Sequence, residues 1–171
     1  MSVLSQIIFL GIFPAIMAFA ASSDLVWMTI SNRLCLILIA TFGLCAAVIG
    51  LSAVELAWHV AAGALVLAVT FGFFAAGWIG GGDAKLAAAT ALWFGFDQLS
   101  AYLMISGAIG GLLTVAIIRL REYPLPQVAK DWEWARRLHG ATTGVPYGIA
   151  LAMAALLILP ETAIWRAAMA L

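Results

Sequence analysis

The spacing of its charges constrains this chain more than any other feature. No charged side chain occurs between Val3 and Ser23, between Leu34 and Val54, or between Leu99 and Ile118. Each stretch is about 20 residues long, the length an α-helix needs to cross roughly 30 Å of hydrocarbon. In hydrocarbon a spanning segment must satisfy its own N–H and C=O groups, which an apolar run of this length does as a helix. The chain is 65% hydrophobic and 9% charged, against about 25% charged residues in an ordinary soluble domain. A soluble fold this apolar could not cover its own surface, so lipid must serve as most of its solvent. The formal net charge is zero and offers no basic patch for nucleic acid.

Six apolar segments can be placed. They are Val3–Ser23, Leu34–Val54, a third within Leu56–Gly82 ending near Ala76, a short fourth over Ala84–Phe96, Leu99–Ile118, and Thr143–Leu159. The tail after Pro160 is short and interfacial in character. The expected fold class is therefore all-α: a polytopic membrane helical bundle of about six transmembrane helices, the fourth short. The fourth has only about two-thirds of the usual spanning length. Such a segment is tolerated where protein encloses it or where it lines a cavity, so it directs attention to Gly80–Lys85. The first segment has no Lys or Arg before it. It lacks the basic start of a secretory signal and is expected to be a retained helix. No internal repeat of the kind that builds many transporters is evident.

Loop charges orient the bundle. With the N-terminus outside and six crossings, Arg33, Lys85, Arg119, Arg121, Lys130, Arg136 and Arg137 fall on one side and only Arg166 on the other. The positive-inside rule makes the first side cytoplasmic. The longest connection, residues 119–141, becomes a cytoplasmic loop of mixed charge carrying Trp132 and Trp134. It reads either as a solvated connector with interfacial tryptophans or as a surface helix that helps admit a substrate.

Two acidic residues stand out on that side. Asp24 directly follows the first segment. Asp83 follows Gly80-Gly81-Gly82 and precedes the fourth. An ionisable group near membrane depth is costly and is by default a functional candidate. Two carboxyl groups brought together do not both ionise readily and share a proton between them. Such a pair offers a base for water and an acid for a carbonyl oxygen, the division of labour of an aspartic protease. Glycines leave room for another backbone close to Asp83. Each aspartate also has a plainer reading: Asp83 as a helix N-cap after a glycine turn, Asp24 as a solvated juxtamembrane charge.

The other polar residues are less pointed. Lys85 can pair with an aspartate, hold substrate, or anchor topology, and Asn32 can cap the second helix. Pro14 and Pro146 kink a helix or occupy its first turn. Glu55, His59, Asp97 and Glu161 fall on the far side and read as solvated or interfacial groups. Cys35 and Cys45 form no CxxC or Cys/His set and read as small buried residues. No metal or cofactor is expected.

Three segments carry a family resemblance. Asp24-Leu25-Val26-Trp27-Met28-Thr29-Ile30-Ser31-Asn32-Arg33 resembles the first catalytic segment of the type IV prepilin peptidases. Gly80-Gly81-Gly82-Asp83-Ala84-Lys85-Leu86 resembles their G-x-G-D motif with its following lysine. Gly144-Val145-Pro146-Tyr147-Gly148-Ile149-Ala150 resembles the start of their last helix. The resemblance implies a single integral-membrane peptidase domain over residues 1–171, with Asp24 and Asp83 as catalytic pair. Gly80, Gly82, Lys85, Asn32, Pro146 and Tyr147 would be supporting motif residues. It implies a bacterial inner-membrane enzyme that removes the short basic leader of prepilins or pilin-like proteins at the cytoplasmic face, in contact with the pilus-assembly machinery. Ser31 stands where many members have proline. The insertion with paired CxxC motifs found in larger, methylating members is missing, so peptidase activity without methylation is expected, as in the compact tight-adherence (Flp-type) enzymes. The competing readings are a small proton- or cation-coupled transporter and a non-catalytic membrane subunit of a secretion or pilus assembly.

Overall fold

The computed structural model describes residues 3–141 and 143–170. It is all α-helical, with no strand among those residues. In order, the α-helices are α1 (Val3–Trp27), α2 (Asn32–Ile49), α3 (Ala53–Ala75), α4 (Gly81–Arg121), α5 (Glu133–His139), α6 (Tyr147–Ile158) and α7 (Ala163–Ala170). The first four are long and apolar enough to cross a membrane. The membrane bundle expected from the charge spacing is therefore present, but its segments are joined differently.

The expected fourth and fifth segments are one helix by hydrogen bonding, α4, broken at Gly95. There φ is 57° and ψ −168°, a conformation essentially restricted to glycine. The chain reverses at this point. Tyr102 returns to lie with its ring centroid 5.0 Å from that of Phe94, where an unbroken helix would set the two about 12 Å apart along its axis. The arm before the break, residues 81–94, runs along α3, with the His59 ring bonded to the Leu92 carbonyl at 2.6 Å and Thr70 reaching the Ala84 carbonyl. The arm after it, residues 96–121, returns past α6, where Tyr147 meets Ser106. The sixth segment is shorter than expected: α6 has 12 residues, about 18 Å of helix.

The first arm of α4 is the centre of the bundle. Leu86 to Ala89, Thr90, Ala91, Trp93 and Phe94 are all buried, so most of this short segment is enclosed by protein. Small side chains let its neighbours approach closely, as packing in membranes requires. Aromatic residues fill the wider end. Trp93 stacks at a tilt against Phe13, 4.8 Å between centroids, and donates its indole N–H to the Leu38 carbonyl at 3.1 Å. The outward faces of α2 and α3 are apolar and open, with Ile37, Leu44, Leu65 and Phe71 all more than two-fifths exposed. That inversion is expected when lipid is the solvent.

Helix ends follow ordinary capping chemistry. Ser31 caps α2, its hydroxyl accepting from the Leu34 N–H, so Asn32 is the first helical residue and not the cap. Ser52 and Glu55 form a reciprocal capping box at α3. His59, expected to be solvated, is buried against Gly95 and Phe42. Cys35 and Cys45 are free and buried.

Gly95 generates a test. A Cβ there would stand 3.1 Å from the His59 ring on a backbone that side chains rarely adopt. Gly95→Ala is expected to destabilise the protein by about 1–3 kcal/mol, read as a lowered unfolding midpoint in detergent. An unchanged midpoint would mean that the reversal does not depend on glycine.

Candidate functional site

Asp24 lies in the last turn of α1 rather than beyond its end. It is 6% exposed, so the reading of a solvated juxtamembrane charge does not hold. Its Oδ2 accepts the N–H of Gly148, in the first turn of α6, at 2.7 Å. The approach is tight. A Cβ on Gly148 would stand 2.8 Å from that same oxygen and 2.8 Å from Ile30 Cδ1. The first turn of a helix offers N–H groups without intrahelical partners, and here one of them is spent on the carboxylate.

Asp83 is the third residue of α4. Gly80 takes the N-cap position, with φ −72° and ψ 145°, so Asp83 is not the cap itself. Its carboxylate folds back over the turn, and a Cβ on Gly80 would lie 2.9 Å from Oδ2. Gly82 faces the link between α1 and α2: a Cβ there would be 3.2 Å from Ile30 Cβ and 3.3 Å from Ile30 N. The backbone that the bare glycine admits is therefore the chain's own, at Ile30.

Asp24 and Asp83 line one cavity of about 270 Å³ together with Met28, Thr29, Ile30 and Gly80 to Gly82, and they lie within Coulombic reach of each other. Met28 holds a left-handed φ of 52°, and Ser23 steadies the link by donating its hydroxyl to the Thr29 carbonyl at 2.8 Å. A cavity that two carboxyl groups line together, with glycine backbone as part of its wall, suits proton transfer to and from a bound amide.

The supporting residues divide into two groups. Pro146 is buried and caps α6. Tyr147 donates its hydroxyl to the Ser106 carbonyl at 3.1 Å, and its ring lies so close to Gly110 that no side chain fits there. These two fix the start of α6 and therefore the N–H of Gly148. Lys85 and Asn32 meet each other, Nζ donating to Oδ1 at 2.9 Å. Lys85 follows Asp83 by two residues, about 200° round the helix, and so engages Asn32 rather than an aspartate.

The sequence did not single out Gly148 as a site residue, although it sits in the third motif segment. Nor did it single out two arginines. Arg121 donates to the carbonyls of Leu138, Thr143 and Gly144, and Arg137 donates to the Val26 carbonyl at 3.1 Å. The 119–141 connection is thus partly helical and tied to the end of α1, two residues from Asp24. Among the described residues no three His, Cys, Asp or Glu side chains gather as a metal site.

A family model described as the type IV leader peptidase family matches residues 11–115, more than half of the chain and both aspartates. The chain belongs to the type IV leader peptidase family. No curated protein and no solved structure matches it. For a leader peptidase the close fit at Gly148 has a measurable consequence. Gly148→Ala is expected to displace the Asp24 carboxylate and to lower proteolysis by roughly a hundredfold, the scale of loss when a group at a reaction centre shifts by about 1 Å. Abundance and membrane insertion should hold. Unchanged cleavage rates would show that proteolysis does not depend on the position of Asp24.

Proposed function

We propose that this leader peptidase is an aspartic endopeptidase with Asp24 and Asp83 as its catalytic pair. One observation carries the reading: two carboxylates 59 positions apart line the same small cavity between α1 and α4. The ionised member of the pair takes a proton from water as the water oxygen bonds to the scissile carbonyl carbon. The protonated member gives its proton to the carbonyl oxygen. The tetrahedral intermediate then collapses: one of its hydroxyls returns a proton to the now-ionised member, the C–N bond breaks, and the leaving nitrogen takes the proton that the other member drew from water. The two groups titrate together, so neither has a fixed role.

Gly80 and Gly82 keep side chains out of the cavity wall, and Pro146 and Tyr147 hold α6 so that Gly148 orients Asp24. Asn32 and Lys85 brace the start of α2 against α4. The family and the basic loops support a substrate of prepilin or pilin-like type, cut after its short basic leader at the cytoplasmic face of the bacterial inner membrane. The protein would act there as one integral-membrane peptidase domain beside the pilus-assembly machinery, without methyl transfer.

The deciding experiment co-expresses a prepilin with wild type, Asp24→Asn or Asp83→Asn and reads leader removal as a size shift on a gel. Wild type should cleave. Each variant, at normal abundance, should lose at least about a thousandfold in rate, as loss of one member of a catalytic unit does. Cleavage by either variant would sink the dyad. Absence of cleavage by wild type across several pilins, with ion flux in vesicles, would favour a transporter.

A further inference from the structure

A second cavity, of about 490 Å³, lies outside the aspartate site. It opens on the lipid-facing side, where α2 and α3 diverge and lean separately on the first arm of α4. Its walls are Ile39 of α2 and Val60 and Leu67 of α3, with Ala89 and Leu92 of α4 as the floor. All of that lining is apolar. Among the described residues its polar members, Asn32 and Lys85, stand together at one end.

Lys85 has no carboxylate within ion-pair distance among the described residues, where the ion pairs are Arg119–Glu122, Arg137–Glu133 and Arg166–Glu161. Its ammonium lies within Coulombic reach of Cys35 in the cleft wall. Asp83 is turned to the other side of the arm. The cleft therefore has a cationic mouth and an apolar interior, and an amphiphile with an anionic head matches both.

Charge selects among apolar occupants. From Lys85 to Leu92 the cleft runs about 10 Å along the helix, and a single cation at one end of an apolar channel matches a hydrocarbon chain that carries one anionic head. We propose that the cleft between α2 and α3 holds one anionic phospholipid, its phosphate on Lys85 and its acyl chains along Ile39 and Val60. The Lys85–Asn32 contact also joins the starts of α2 and α4, so an occupied cleft braces the two elements that flank the aspartate cavity.

The test does not depend on proteolysis. Wild-type protein is purified in mild detergent after exchange into equal phosphatidylglycerol and phosphatidylcholine, and the retained lipid is counted by mass spectrometry. Phosphatidylglycerol should be retained about fivefold over phosphatidylcholine, the selectivity of roughly one cation at a membrane surface. Ala64→Phe and Leu67→Trp, both at exposed positions of the cleft wall, should each abolish retention without lowering the unfolding midpoint. Lys85→Met should keep lipid but lose the preference for the anionic head. Equal retention of the two lipids by wild type would overturn the proposal, as would undiminished retention by both filled variants. Displacement of the lipid by a leader-bearing substrate, with that substrate crosslinking to Cys35, would assign the cleft to substrate instead.

Discussion

The first arm of α4 carries Asp83 into an apolar bundle without meeting lipid along most of its own surface, and the rest of the structure is arranged around that requirement. A segment of about 14 residues is too short to cross hydrocarbon, so other helices must shield it. α3 covers one side, α6 and the returning arm of α4 another, and α1 and α2 the remainder. Two of the covering helices then reach the site. α1 brings Asp24, and α6 brings the N–H of Gly148. Enclosing the short arm and assembling the cavity are one packing problem with one solution.

The bundle itself was legible because charges are rare and their gaps have a characteristic length. The short fourth segment was legible for the same reason, and its enclosure follows from its length. Asp24 and Asp83 could be paired because topology puts the ends of their segments on one side. Where the sequence misled, the cause was local. Asp24 was expected after α1, yet α1 continues to Trp27, since the residues after Ser23 are helix-compatible and nothing there stops the helix. Asn32 was expected to cap α2, but Ser31 does so, and both are good caps by composition. His59 was expected to be solvated because the topology puts it on the far side, at the start of an apolar segment. Its partners, the Leu92 carbonyl and Gly95, lie more than 30 positions away.

The loop after α4 shows what charge counting leaves out. In the sequence Arg121 and Arg137 counted only as two of several positive charges on the side expected to be cytoplasmic. In the structure they act as hydrogen-bond donors to backbone carbonyls at the end of α1 and before α6. A guanidinium has five N–H donors in a fixed fork and suits carbonyl groups left unpaired where helices end. No periodicity or motif announces that use. It depends on which chain ends the fold brings near.

The hydrogen bond from Gly148 to Asp24 spans 124 positions, and this gives the protein a schedule. A chain emerging from the ribosome can insert α1 through α4 and present both aspartates to the bilayer while α6 is still unmade. Asp24 then lacks its backbone partner. The joint between Asp24 and Gly148 closes only once α6 has been made, so this long-range contact at the candidate site is among the last that the growing chain can complete.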